Sequence, residues 1–246
     1  MLIDTHAHVN FNAFKNDFDK VIKRSLSEDI WMINVGSNYE TSKRAVEIAE
    51  KYNGIFAAIG LHPIHTKDED FNASKYRSLC QSDKVVAIGE IGLDYFKDYG
   101  LFKEKQREVF LQQLDLAKEL DLPVIIHCRM AHKDLLEILN DKLNGVIHCF
   151  TGNWDEAKQY LDMGFYLGIN GIMYKFDLEE VIKKTPLEKI LIETDCPYLM
   201  PPQAGAKRNE PVFIKYIVQD IAKIKGIDFQ KVAEITFQNA KNLFRI

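Results

Sequence analysis

The chain has 246 residues, of which 46% are hydrophobic and 28% charged, and carries a formal net charge of −4. That balance excludes a disordered or fibrous chain. The charge excludes a global attraction to nucleic acid, so a polyanion would have to be captured by local charges or by metal ions.

No run approaches the roughly 20 apolar residues of a membrane span. Asp4 and His6 stand where a secretory leader would need basic residues and then an apolar core. The expectation is a cytoplasmic protein with one domain over residues 1–246, no membrane association and no obligate protein partner.

Short apolar runs recur along the chain at "LID", "IWMINVG", "IFAAIG", "VVAIGE", "PVIIHC", "GVIHCF", "FYLGI" and "ILIETD". Apolar runs without polar alternation predict parallel strands buried on both faces. Between them lie charged segments of helical periodicity. In "KEKQREVFLQQLDLAKEL", Phe110, Leu114 and Ala117 fall at i, i+4 and i+7. In "AHKDLLEILNDKL", Leu135 and Leu139 repeat the spacing. The segments "VFIKYIVQDIAKIKG" and "DFQKVAEITFQNAKNLF" predict two closing helices, with Gly226 as the C-cap signal and Asp228 as the N-cap signal between them. Eight strands alternating with helices predict an α/β fold, a (β/α)8 TIM-type barrel. An open doubly wound sheet is the competitor, but no glycine-rich phosphate loop follows the first strand. A barrel would collect functional groups at the C-terminal ends of its strands.

The polar residues follow that rule. His6 and His8 end the first strand, His62 follows the third, Glu90 follows the fourth, His127 ends the fifth, His148 ends the sixth and Asp195 closes the eighth. His65 and His132 fall outside the pattern, in a loop and at a helix start. Residues i and i+2 of a strand point to one side, with Cα atoms roughly 6–7 Å apart. Two imidazoles so placed can converge on one ion with metal–nitrogen bonds of about 2.0–2.1 Å. Asp195 would reach the same ion from the last strand. Glu90 could bridge to a second ion held by His127 and His148. Two metals about 3.5–4 Å apart can clamp a phosphoryl group and activate a water as nucleophile. Taken singly, each residue has a plainer explanation: a hydrogen-bonded strand-end histidine, a helix-start glutamate, a capping aspartate. The joint placement of six such groups on one rim selects the metal site.

The stretches "IDTHAHVNF", "GLHP", "GEIGLDY", "IIHCR", "HCFTG", "ETDCPYL" and "RNEP" run in order over nearly the whole chain. Together they resemble the TatD-type metal-dependent deoxyribonucleases of the amidohydrolase superfamily. The resemblance implies a barrel with a two-metal hydrolytic site and phosphodiesterase activity on DNA, of the kind that trims 3′ ends in DNA repair or fragmentation. It carries the metal-binding positions onto His6, His8, Glu90, His127, His148 and Asp195. Glu90 stands where the wider superfamily often has a carboxylated lysine, as in TatD-like proteins. The segment "MPPQAGAK" before "RNEP" is variable in the family and says nothing of substrate choice.

Within that frame Asp195 is both ligand and orienting base, and Glu90 is the shared carboxylate. No general acid can be named. His62, held by Pro63, is a candidate phosphate contact or support for a ligand, with a structural role the alternative. Arg129 is a candidate bidentate phosphate contact, with an ordinary salt bridge the alternative. Asp94 is a candidate partner for a ligand histidine, with a loop-stabilising role the alternative. Lys207 and Arg208 form a short basic patch that could meet a DNA backbone, with a merely solvated pair the alternative. Tyr95 and Phe150 could stack on a base, although packing of the rim is the plainer role. The four cysteines, Cys80, Cys128, Cys149 and Cys196, include no CxxC pair and are expected to be reduced thiols.

Four imidazoles point to Zn, Mn, Co or Fe, whereas the resemblance admits Mg, so occupancy should follow availability. The expected reaction is 3′–5′ exonucleolytic cleavage of single-stranded or frayed DNA ends. The alternative is hydrolysis of an amide or ester at the same metals, such as a cyclic amide or an aminoacyl-tRNA ester, because fold and ligands alone do not fix the bond. A non-catalytic metal-binding protein is a third reading, disfavoured because Asp195 is intact.

Overall fold

The computed structural model describes residues 1–139 and 143–246, so the end of the segment "AHKDLLEILNDKL" lies in part outside the described residues. Eight strands form one parallel sheet in the order of the sequence. They are β1 (Leu2–Ala7), β2 (Ile30–Val35), β3 (Ile55–Ile59), β4 (Val85–Asp94), β5 (Val124–Arg129), β6 (Gly145–Ile147), β7 (Tyr166–Ile169) and β8 (Ile190–Ile192). Each coincides with one of the apolar runs. β1 and β4 are buried along their whole length, as strands covered on both faces must be.

The sheet curls into a nearly closed (β/α)8 barrel whose first and last strands meet along a polar seam. Ala7 bridges to Cys196. Thr5 Oγ1 donates to the Ile192 carbonyl at 3.1 Å. The buried Asp4 carboxylate accepts from the Thr194 amide at 2.9 Å and from its hydroxyl at 2.5 Å. Asp4 thus ties two elements 190 residues apart in sequence.

The helices are α1 (Phe18–Ser27), α2 (Tyr39–Ala49), α3 (Ala73–Leu79), α4 (Lys103–Glu119), α5 (His132–Ile138), α6 (Trp154–Asp162), α7 (Glu179–Lys184), α8 (Ile214–Lys225) and α9 (Phe229–Phe244). Phe110, Leu114 and Ala117 form the buried face of α4, as their spacing predicts. Asn38 and Asn153 each accept an amide at a helix start within a reciprocal capping box, fixing where α2 and α6 begin. Gly226 ends α8 with φ +65°, a left-handed position that glycine occupies without penalty. Asp228 does occupy the N-cap of α9, but its side chain makes no capping bond, so that half of the predicted signal is positional only. α9 packs on β1 and β8. There Asn239 Nδ2 donates to the carbonyls of Leu187 and Ile190, both at 2.8 Å, and anchors the start of the last strand.

Two irregularities matter for the site. The β4–β5 register slips between Gly89 and Ile91, leaving Glu90 as the extra residue of a bulge. A bulge re-aims one side chain out of strict alternation; here it frees Glu90 from a cross-strand partner. Further along β4, a Cβ on Gly92 would sit 2.1 Å from the His127 carbonyl oxygen, so β4 can approach β5 this closely only with glycine there.

Candidate metal centre

Strand alternation sends His6 and His8 from the end of β1 to the same side, with Nε2 atoms 3.1 Å apart. His8 Nδ1 lies 2.8 Å from the Val35 carbonyl. As its donor, Nδ1 keeps the proton and leaves Nε2 with a free lone pair. From the Glu90 bulge, Oε2 lies 3.4 Å from His6 Nε2 and 3.8 Å from His8 Nε2. Asp195 comes from beyond β8 in the left-handed region, φ +54°, a strained conformation for an aspartate. It places Oδ1 3.4 Å from His8 Nε2.

The other carboxylate oxygen of Glu90 faces the opposite wall. Oε1 lies 2.8 Å from His127 Nδ1, 3.2 Å from His62 Nε2 and 3.8 Å from His148 Nε2. His127 Nε2 is held 3.1 Å from Asp94 Oδ2, the orienting contact expected of Asp94. His148 stacks on His6 with ring centroids 3.4 Å apart, and its Nε2 is 3.9 Å from Asp195 Oδ1.

Donor atoms fall into three compact groups: His6–His8–Glu90, His6–His148–Asp195 and His62–Glu90–His127. This differs in one respect from the expected grouping. His148 sits with His6 and Asp195, while His62 stands beside Glu90 and His127. The donors suit divalent ions. Tetrahedral bonds of about 2.0–2.1 Å require ligand atoms roughly 3.3 Å apart, close to the spacings around Glu90 and His8. His6 Nδ1 is buried without a partner among the described residues, which also fits a ring held by its other nitrogen.

The protonation pattern follows from crowding buried charges. Burial, joined by the charge of His148, lowers His6 to about 4. Burial also acts to raise Glu90, but His62 and His6 outweigh it and hold the carboxyl well below its usual range. His127 rises to about 9 against the pull of burial, because Asp94 and Glu90 both bond to it. His148 likewise rises to about 9, driven by Glu193. Cationic imidazoles thus balance the carboxylates, the role that bound divalent ions would take over.

Glu193 is the residue that sequence reasoning missed. It is fully buried, and its Oε1 accepts from the Cys149 amide at 2.7 Å and from Asn170 Nδ2 at 2.8 Å. The same oxygen lies 2.8 Å from His148 Nδ1, oblique to the ring N–H, so the contact is chiefly one of charge. A Cβ on Gly168 would come within 2.5 Å of Glu193 Oε2, so glycine there makes room for it. The available signal was the i, i+2 spacing of Glu193 and Asp195, the same as that of His6 and His8.

The weaker candidates separate. His62 is buried in the cluster, and its Nδ1 accepts from the Ile64 amide at 3.2 Å, so the proton of the neutral ring sits on Nε2. Arg129 is exposed, lies 3.7 Å from the Phe96 ring centroid and pairs with no carboxylate among the described residues. Arg208, expected in a basic patch for a backbone, is partly buried and engaged within the chain. It bonds Asp17 and the Ala13 carbonyl at 2.5 Å and Glu210 at 3.3 Å, leaving little charge for a ligand. Lys207 remains exposed. Tyr95 donates to Asp134 at 2.8 Å, and Phe150 is wholly buried beside His132 and Tyr160, so both serve packing. All four cysteines are free thiols. His65 lies outside the cluster in a short 3-10 turn, and His132 begins α5 against Cys128 and Tyr160.

Comparison with known proteins agrees with this fold. A family model described as "TatD related DNase" matches residues 3–245. The chain is 43% identical to a Bacillus subtilis protein called uncharacterized metal-dependent hydrolase YabD, covering 100% of both. It is 35% identical to the 3′-5′ ssDNA/RNA exonuclease TatD of Salmonella typhimurium, over 100% of this chain and 99% of that protein. Among solved structures, the TatD homologue YjjV of Escherichia coli superposes with a TM-score of 0.91 at 29% identity, covering 100% of this chain and 98% of that one. No helix among the described residues is long and apolar enough to cross a membrane. From the ordered motifs, the barrel and these matches, the chain belongs to the TatD-related DNase family of metal-dependent hydrolases.

Proposed function

We propose that the protein is a two-metal exonuclease that removes nucleotides from the 3′ ends of single-stranded or frayed DNA in the cytoplasm. The two-sided Glu90 carboxylate carries this reading, since each oxygen faces its own set of nitrogen donors. His6, His8, Asp195 and Glu90 Oε2 would hold one ion; Glu90 Oε1 and His127, with His148 in reach, would hold the other. Such ions polarise the phosphoryl oxygens and lower the pKa of the attacking water, with Zn, Mn and Mg all admissible.

The chain's own residues do the rest. Asp195, on its strained turn, orients the water and accepts its proton. His62 presents an Nε2–H to a phosphate oxygen that would otherwise face Glu90. Asp94 fixes His127, and Glu193 fixes His148. Arg129, unpaired at the mouth, meets the next phosphate along the strand. The Salmonella relative's name includes RNA as well as single-stranded DNA, so RNA is a second candidate substrate.

The test uses chelator-stripped protein with 3′-labelled and 5′-labelled single-stranded DNA and RNA, restored with Mg, Mn or Zn. Metal-dependent loss of the 3′ label as mononucleotides, abolished in Asp195→Asn, is the expected result. Intact strands with every metal would reject the reading and move the assignment to amide or ester hydrolysis.

A further inference from the structure

The large apolar side chains left exposed are unevenly placed. Apart from Met1 and Leu111 they are Leu101, Phe102, Met130, Phe176 and Tyr198, all in loops that follow strands of the barrel. These loops surround the metal cluster, whereas the helical flanks are almost free of such residues. Single exposed apolar residues need no explanation, but a collar of them around a hydrolytic mouth does.

Tyr198 shows how close the collar comes to the chemistry. Its amide donates to the Asp195 carbonyl at 2.9 Å, and Asn209 grips its own carbonyl at 2.7 Å, so the backbone beneath the ring is fixed. The residue itself remains 55% exposed. Across the mouth, Arg129 stacks on Phe96 and keeps its exposed position. Exposed Lys97, Lys175 and Lys207 stand in the same loops without a carboxylate partner among the described residues, against exposed Asp98 and Asp177. Planar apolar faces interleaved with free cations are what a flexible polyanion with unpaired bases requires. A duplex, whose bases are stacked inside, would leave the apolar faces wet.

Resting on the reading above, we infer that this collar is a base-stacking platform, with Tyr198 and Phe176 holding unpaired nucleobases next to the scissile phosphate while Arg129 and the loop lysines track the backbone. The platform makes the enzyme select strands by having bases to stack, independently of which bases they are.

The test compares KM for a single-stranded DNA with KM for the same strand carrying stable tetrahydrofuran abasic residues near its 3′ end. The metal-loaded protein should favour the base-bearing strand by roughly tenfold, the worth of one base–aromatic stack. In Tyr198→Ala and Phe176→Ala that ratio should collapse towards one, and Tyr198→Phe should restore it. An unchanged ratio in both alanine variants, or none in the wild type, overturns the platform while leaving the nuclease intact. If the wild type cleaves neither strand with any metal, the nuclease reading fails and the platform falls with it.

Discussion

Glu90 Oε1 lies 2.8 Å from His127 Nδ1, although the same carboxylate turns its other oxygen towards the end of β1. One side chain therefore joins two groups of donors that come from opposite sides of the barrel mouth. Its position depends on the β4 bulge, which removes Glu90 from the regular ladder with β5. Replacing it with alanine should leave two half-sites with no shared ligand. Glu90→Ala is expected to bind at most one equivalent of metal by elemental analysis. It should also lose about a hundredfold or more in kcat/KM, since charge stabilisation by a metal is worth several kcal/mol. Retention of full metal content would refute the shared-ligand role.

Glu193 acts at one remove, through His148. Glu193→Gln keeps the shape and an acceptor but removes the charge that holds the imidazole. Metal affinity should fall about 10- to 100-fold, the usual cost of losing a carboxylate behind a ligand histidine. KM for the strand should barely move at saturating metal. A competition titration against a chromophoric chelator reads the affinity, and an unaltered value would make Glu193 a packing residue.

The two arginines make opposite predictions. Arg208 is engaged by Asp17, Glu210 and the Ala13 carbonyl and lies over the Phe14 ring, so Arg208→Ala should cost about 1–2 kcal/mol in urea unfolding. KM should stay at the wild-type value. Arg129→Ala should do the reverse, weakening strand binding and reducing the slope of log KM against log salt by roughly one contact. Identical behaviour of the two variants would contradict this division.

His132 gives a pH signature apart from the metal cluster. Burial pushes its pKa below the ordinary 6.5, with the charge of Glu156 opposing, while Cys128 and Tyr160 face Nδ1 and Nε2 has no partner among the described residues. Between the lowered folded pKa and 6.5 the unfolded chain binds more protons. Stability is therefore full above about pH 6.5 and is lost as pH falls through the folded pKa. Denaturant midpoints of metal-free wild type and His132→Gln should diverge between pH 7.5 and 5.5 (roughly the span of histidine titration), with the wild type falling more steeply. Parallel curves would remove His132 as the cause.

The barrel was legible because strands buried on both faces have to be continuous apolar runs, and all eight runs became strands. His6 and His8 were legible through the two-residue period of a strand. Asp94 was legible only as a carboxylate in the motif "GLDY", near the candidate ligands in sequence. What local sequence could not carry was pairing across the chain. Arg208 looked like a basic patch because its partner Asp17 lies 191 residues away. Glu193 went unread, since only the fold brings His148 and Asn170 against it. The bulge at Glu90 is likewise a property of the β4–β5 register and leaves no mark in composition.

The most direct test of the shared-carboxylate centre is anomalous diffraction at the zinc and manganese edges from crystals of the metal-loaded protein. The account predicts two peaks about 3.5–4 Å apart, one beside His6, His8 and Asp195, the other beside His127, with Glu90 between them. A single peak, or two peaks with Glu90 touching neither, would contradict it.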